Sequence, residues 1–353
     1  MPTFQLNLIP GDGIGVEVMV EARRTLARLA GRRGDLAFGL REFDWSCGRY
    51  RREGAMMPAD GLQRLADCDA ILLGAVGFPG VPDHVSLRGL LLPIRQGFDQ
   101  YVNLRPVRLL AGLDSPLKAG TPRSIDFVVV RENTEGEYCG AGRSEGAGTP
   151  DETAVQEARF TRRGTERILR YAFDLARRRR CRLTSATKSN ALNHSMVFWD
   201  RVCAEVAGDY PQVALTSTHV DALTGFFILD PGRFDVVVGS NLFGDILTDL
   251  GSAMLGSIGV SPSANIDPQR RHPAMFEPGH GSAPDIAGRG IANPIGMLWS
   301  VVLMLEHLGL EDEARDLMAA LETVLAARQV RTPDLGGTAT TAQVVDAVLA
   351  ALG

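Results

Sequence analysis

Short runs of consecutive apolar residues, each followed by a stretch with helical spacing, set the tightest limit on how this chain can fold. Phe127–Val130 ("FVVV"), Val236–Val238 and Ala70–Leu73 ("AILL") are unbroken, and Gln5–Ile9 and Leu183–Thr187 are further strand candidates. Unbroken apolar strands of this length are buried on both faces, as in parallel sheets covered by helices. Helical patterns follow at Gly15–Ala30, Gly164–Arg178, Ser195–Val206 and Leu298–Leu308. The alternation predicts an α/β fold with a large, mostly parallel sheet.

A chain of 353 residues has room for two domains. A net charge of −5 argues against a nucleic-acid binder. The basic run Arg177–Arg180 with Arg182 reads as a solvated helix end, where cations suit the dipole. Cys47, Cys68, Cys139, Cys181 and Cys203 are scattered and odd in number, which predicts reduced thiols, no zinc site and a cytoplasmic setting. No signal peptide is evident at "MPTFQLN", and the longest apolar stretch, "GMLWSVVLML", is too short to span a bilayer.

The opening "LNLIPGDGIGVEV" poses a question. A strand runs into Gly11, Gly13 and Gly15 and then a helix, close to the dinucleotide fingerprint G-x-G-x-x-G/A. The spacing is G-x-G-x-G instead, Val16 stands at the third small position, and Asp12 would oppose a phosphate. Glu42 and Asp44, after the strand-like "LAFGLREF", come late for a ribose partner. From these residues alone the turn is either a phosphate loop or a structural strand–turn–helix.

Three groups of residues carry chemistry. In "GSNLFGDILTDL", Asp245 and Asp249 stand four apart on a helical pattern and share one face. Two carboxylates so placed suit a hard divalent cation, or they are two solvated acids; Asp221 is a third isolated acid after a strand-like run. Arg95, Arg105, Arg108 and Arg131 offer planar forks for carboxylates, with Tyr138 beyond Arg131 and Lys188 at another strand end. The Gly- and Pro-rich "FEPGHGSAPDIAGRGIANPIGM" places His280, Asp285 and Asn293 in a long loop that reads as a nucleoside contact. Residues 136–157 form a polar stretch, either a surface loop or an arm reaching a partner.

Taken together, "IPGDGIGVEV", "NLRP", "VRENTEGEY", "TKSN", "GSNLFGDILTDL" and "HGSAPDIAGRGIANP" closely resemble the β-decarboxylating 2-hydroxyacid dehydrogenases, in family order over nearly the whole chain. That family includes the isopropylmalate, isocitrate, homoisocitrate, tartrate and D-malate enzymes. The resemblance implies an isopropylmalate dehydrogenase-like fold with a non-Rossmann cofactor site. It implies an outer, cofactor-binding domain of residues 1–102 and 256–353, and an inner domain of 103–255 bearing the arm near 136–157.

Carried over residue by residue, Arg95, Arg105 and Arg131 bind the carboxylates of a malate-like core, with Arg88 and Leu91 near its variable arm. Asp221, Asp245 and Asp249 hold Mg²⁺ or Mn²⁺, with K⁺ a further candidate ion. Lys188 is the general base on the C2 hydroxyl, and Tyr138 the acid that protonates the enolate after CO₂ leaves. Ile14, Glu277, His280, Gly281, Ser282, Ala283, Asp285, Ile286 and Asn293 contact NAD. Asp285 followed by Ile286 matches the NAD-type pattern, since a carboxylate accepts from a free ribose diol and repels a 2′-phosphate. Lys188 and Asp221 come from the neighbouring subunit, so a homodimer with shared sites follows, with pairing into tetramers open.

Gly89 and Leu91 stand where isocitrate enzymes carry Ser and Asn, and Arg88 replaces the Glu of isopropylmalate enzymes. The segments "VPDHVSL", "FDQYVNLRPVRLL", "VRENTEGEYCG" and "SATKSN" look most like the tartrate/D-malate branch. Two positions depart from it: Arg88, where the branch usually has Trp, and Gly279, where Val is commoner. The alternatives are 3-isopropylmalate or homoisocitrate as substrate, or an inactive regulatory homologue; intact Lys188, Tyr138 and the three aspartates argue against the last.

Overall fold

The computed structural model describes residues 2–118 and 125–353. The expected strands form at Thr3–Gly11 (β1), Ala37–Glu42 (β2), Ala70–Ala75 (β3) and Asp126–Glu132 (β5), and between the last two lies Val102–Arg108 (β4), a strand not expected from the sequence. Gly142–Glu145 (β6), Thr153–Gln156 (β7), Arg182–Thr187 (β8) and Ala214–His219 (β9) follow. Val236–Gly239 (β10), Pro262–Ile266 (β11) and Ala274–Pro278 (β12) complete the set. Ten of these make one sheet in the order β2-β1-β3-β12-β11-β4-β5-β10-β8-β9.

The two ends of that sheet are parallel, and its middle is not. β1 pairs in parallel with β2 and β3, β3 with β12, and β10 with β5 and β8. β12–β11, β11–β4 and β4–β5 are antiparallel. The unbroken apolar runs are the strands buried on both faces: β3 and β10 are buried at every residue. The helices Ile14–Arg33 and Ile295–His307 help cover one end of the sheet, and Arg162–Arg178 the other. Ile295–Leu305 is buried all round, so its continuous apolar sequence is that of a core helix.

The basic run is not simply solvated. Arg179 and Arg180 pair with Asp126 and with the fully buried Asp235, which also accepts from the Arg180 backbone N–H at 2.8 Å. They tie the helix end to the start of the strands it covers. All five cysteines are free. No helix among the described residues is long and apolar enough to cross a membrane.

The glycine turn proves to be a packing device. Asp12 is buried, and its carboxylate accepts from the backbone N–H of Cys47 at 3.0 Å and of Gly77 at 3.1 Å. Its own N–H donates to Ala75 O, at the end of β3. Gly13 has φ of 56°, and a Cβ there would run into the Ser282 carbonyl, to which the Ile14 N–H donates at 2.9 Å. The acid therefore knits the turn to its neighbours, and the glycine lets the late loop close over it.

Asp12→Ala leaves the buried Cys47 N–H and the half-buried Gly77 N–H without an acceptor. It should cost about 2–4 kcal/mol. Denaturant unfolding checks this, and a loss within about 0.5 kcal/mol would contradict the packing role.

Candidate active site

The antiparallel middle of the sheet carries the site. Strand alternation puts Asn103 and Arg105 on one face of β4, and the β4–β5 register sets Asn103 opposite Arg131. Arg95 reaches the same region from the short helix Leu92–Gly97, which directly continues a π-turn at Leu87–Leu91. All three arginines are buried.

Each guanidinium has a defined set of partners. Arg95 pairs with Glu277 at 2.6 Å, and its Nε is buried without a hydrogen-bond partner among the described residues. Arg105 donates to Asn103 Oδ1 and Thr248 Oγ1, both at 2.9 Å, and lies 3.7 Å from Asp249. Arg131 donates to Asn241 Oδ1 at 3.0 and 2.8 Å and is ion-paired with Asp245. Gly244 makes that last geometry possible, since a side chain there would collide with the Arg131 stem.

Asp245 and Asp249 do share a face of the helix Asn241–Met254. The Glu137 carboxylate secures the start of that helix, accepting from Ser240 Oγ at 2.7 Å and the Leu242 N–H at 3.1 Å. The same short segment brings Tyr138 over Asp245, and the phenol donates to Asp245 Oδ2 at 3.0 Å. The Arg131 guanidinium lies 5.6 Å from the centre of the Tyr138 ring.

Burial and charge oppose each other here. Burial pushes Arg131 down to about 10 and lowers Arg105 as well, because neighbouring cations add to desolvation. Burial would raise Asp245, but Arg131 and Arg105 outweigh it and hold its carboxyl below the usual range. Asp249 goes the other way, raised by burial. Burial, reinforced by the Asp245 charge, pushes the Tyr138 phenol up to about 12, so it stays a proton donor at neutral pH.

Lys188 and Asp221 lie together elsewhere. Thr187 on β8 pairs with His219 on β9, which sets Lys188 beside the start of the helix Val220–Leu229. Lys188 Nζ donates to Asp221 Oδ1 at 2.6 Å and holds the Asp221 carboxyl below its ordinary value. Among the described residues of one chain, no three acidic, histidine or cysteine side chains gather as a metal cluster, so Asp221 does not join Asp245 and Asp249 within the protomer.

A second cleft, of about 480 Å³, opens between the glycine turn and the late loop. Ile14, His280, Gly281, Ala283, Ile286 and Asn293 line it, together with Ile258 and Asp334. Asp334 accepts from Asn293 Nδ2 at 2.8 Å and Ser257 Oγ at 2.5 Å. With His280 Nδ1 donating to Gly281 O at 2.9 Å, the buried Nε2 is left as an acceptor with no partner among the described residues, and burial lowers the ring's pKa. Ser282 is buried beneath, with its carbonyl on the glycine turn, and Asp285 is exposed on the loop. Glu277 belongs to the arginine cluster by its contacts. Gly279 packs against Ser261, where a Cβ would meet the Ser261 Cβ at 3.2 Å.

Arg88 is exposed, and among the described residues it has no ion-pair partner. Its guanidinium lies over Gly140, where a methyl group would come within 2.5 Å. Leu91 is half-buried on the same π-turn. Sequence reasoning left Asn133, Asn241, Thr248, Ser257, Asn265 and Asp334 unassigned. Asn103 and Asn241 stood inside quoted motifs, and the period of two in "VNLR" already put Asn103 on the Arg105 face.

Comparison with known proteins decides what these parts belong to. Residues 5–348 match the isocitrate/isopropylmalate dehydrogenase family. The chain belongs to this family. It is 52% identical to the D-malate dehydrogenase (decarboxylating) of Escherichia coli K12, over 99% of this chain and 98% of that one. It is equally 52% identical to the tartrate dehydrogenase/decarboxylase of Pseudomonas putida, over 98% and 97%. In structure it resembles the isocitrate dehydrogenase of Methylococcus capsulatus, with a TM-score of 0.87, 32% identity and 99% of each chain covered.

One buried acid, Glu132, follows Arg131 directly on β5. Glu132 ends β5 and accepts from the N–H groups of Thr134 and Glu135 at 3.0 and 2.9 Å, yet burial pushes it up to about 7. A folded value above the unfolded one gives stability that is fully present at low pH and lost as pH rises through about 7. Wild type should therefore lose up to roughly 3 kcal/mol across that range that Glu132→Gln does not lose. Unfolding midpoints of both proteins against pH check this; parallel curves would contradict it.

Proposed function

We propose that the protein is an NAD-dependent, divalent-cation-dependent dehydrogenase of malate-type 2-hydroxy acids, with tartrate or D-malate as substrate, oxidising with or without decarboxylation. One observation carries this reading: three buried guanidiniums converge beside two carboxylates and a phenol, and Arg95 keeps a buried N–H without an acceptor among the described residues. Buried donors of this kind suit a ligand rich in carboxylate oxygens. Its relatives' names point the same way.

The residues fit both cofactors. Asp245 and Asp249 offer the hard oxygen donors that Mg²⁺ or Mn²⁺ prefers, and Asp221 of a second copy is the expected third ligand. When bound, the cation polarises the substrate's oxygens as a Lewis acid. The apolar cleft at Ile14 and Ile286, with the His280 Nε2 acceptor, suits an adenosine, and Asp285 suits an unphosphorylated ribose. When bound, the nicotinamide accepts the hydride from C2.

The chain's own side chains do the rest. Arg95, Arg105 and Arg131 fix the two carboxylates. Lys188 takes the hydroxyl proton as C2 becomes a ketone. After the C–C bond to the departing CO₂ breaks, Tyr138, which burial keeps protonated, returns a proton to the carbon. Because Lys188 and Asp221 stand apart from Asp245 in one protomer, a complete site needs two copies. The helices Val220–Leu229 and Asn241–Met254 pack together and expose Leu229 and Ile246 at 78% and 50%, a face suited to a twofold partner. The fully exposed β6–β7 hairpin is the candidate arm. The outer domain of 1–102 and 256–353 and the inner domain of 103–255 then meet in the antiparallel middle of the sheet.

The exposure of Arg88 favours the small C4 diacids over homoisocitrate, whose extra carboxylate would call for a cation turned inward. Purified protein with NAD⁺ and Mn²⁺ should form NADH from D-malate or a tartrate at least about tenfold more efficiently than from 3-isopropylmalate or homoisocitrate. The reverse preference would overturn the assignment. Asp245→Asn should lower kcat by at least about 100-fold in a protein that stays folded by circular dichroism, since an amide is a poor ligand for a hard cation. Full activity at ordinary Mn²⁺ concentrations would contradict the metal role.

A further inference from the structure

Between Arg95 and Arg105 runs a line of buried polar side chains that no catalytic step uses. Arg105 donates from Nε to Asn103 Oδ1 at 2.9 Å. Asn103 donates from Nδ2 to Asn265 Oδ1 at 2.8 Å, and Asn265 donates from Nδ2 to Glu277 Oε1, also at 2.8 Å. Glu277 accepts in turn from Arg95 at 2.6 Å. Asn103 and Asn265 face each other directly across β4 and β11, and both are fully buried.

The ends dictate the direction of this line. A guanidinium can only donate, so Asn103 must turn its oxygen to Arg105 and its amide nitrogen to Asn265. A carboxylate can only accept, so Asn265 must turn its nitrogen to Glu277. The remaining amide hydrogens are also used: Asn103 donates to Ser263 Oγ at 2.8 Å, and Asn265 to the Met275 carbonyl at 3.2 Å. Asn265 Oδ1 accepts a second bond, from Asn133 at 3.0 Å. Neither asparagine can flip without setting like groups against each other. A low-dielectric interior makes such a polarised chain rigid when every member is satisfied.

We propose that Asn265, with Asn103, is a positioning element that fixes the separation of the Arg95 and Arg105 guanidiniums and so sets the distance between the two carboxylates the site accepts. The proposal rests on the hydroxy-acid reading above. Asn265 bonds to neither arginine, and it acts through Glu277 and Asn103.

Asn265→Ala and Asn265→Asp test it. The alanine variant should raise KM for the acid at least about tenfold while KM for NAD⁺ stays within about threefold, because only the carboxylate pocket loses its register. The aspartate variant keeps the shape but faces Glu277 with a second carboxylate. Protonated, it can donate one O–H to Glu277 but cannot also serve the Met275 carbonyl, so it should come nearest to wild type at low pH. As pH rises its Tm should fall away from wild type, while the alanine variant runs parallel to it.

An aspartate variant that tracks wild type from about pH 6 to about pH 9 would overturn the relay, as would an unchanged acid KM in Asn265→Ala. If Asn265→Asp does not fold, Asn265→Ser, which keeps a donor and an acceptor, should recover part of the acid affinity lost in Asn265→Ala, and equal KM values would overturn the relay. Absence of wild-type turnover on every malate-type acid would count against the reaction alone, because the pH-dependent Tm gap needs no substrate.

Discussion

Three guanidiniums buried in one small volume are the constraint around which the rest of the site is arranged. A buried cation is costly unless it is paired and hydrogen-bonded. Here Glu277 serves Arg95, Asn103 and Thr248 serve Arg105, and Asn241 and Asp245 serve Arg131. Those partners come from β12, β4 and the helix Asn241–Met254, so strands and helix from distant parts of the chain must meet in one place. The antiparallel β12–β11–β4–β5 middle of an otherwise parallel sheet is what brings them together.

The same arrangement explains why an acidic, glycine-rich turn near the N-terminus looks like a phosphate loop without being one. Asp12 is consumed by backbone N–H groups, and the positive φ of Gly13 admits the Ser282 carbonyl. The first helix holds the late loop too, since Glu17 accepts from the backbone N–H groups of Gly288 and Gly290. The second cleft is thus lined by both segments, through Ile14 and Ile286, together with Ile258 and Asp334.

Much of this was legible in the sequence, for identifiable reasons. The buried strands were visible because burial on both faces demands unbroken apolar runs, as in β3 and β10. Asp245 and Asp249 were visible because helical spacing alone puts them on one face. β11 and β12 were not foreseen: Pro262–Ile266 and Ala274–Pro278 carry Ser, Asn, Glu and Pro, and their buried polar residues mask the strand pattern. The Asn103–Asn265 contact is set by register between strands far apart in sequence, which local spacing does not reveal. The basic helix end looked solvated because its partner Asp235 lies just before a different strand.

Lys188 with Asp221, and Asp245 with Tyr138 and Arg131, are two groups that stand apart within one protomer and that the proposed reaction needs together. Subunit complementation tests directly whether two copies complete it. Lys188→Ala and Asp245→Asn proteins, each inactive alone, are co-expressed and purified together. If each site draws on both protomers, every mixed dimer contains one intact site, and activity returns to about a quarter of wild type for random pairing. A mixture that stays inactive although mixed dimers are shown to form, or a wild-type protein that is fully active as a monomer, would contradict a shared site.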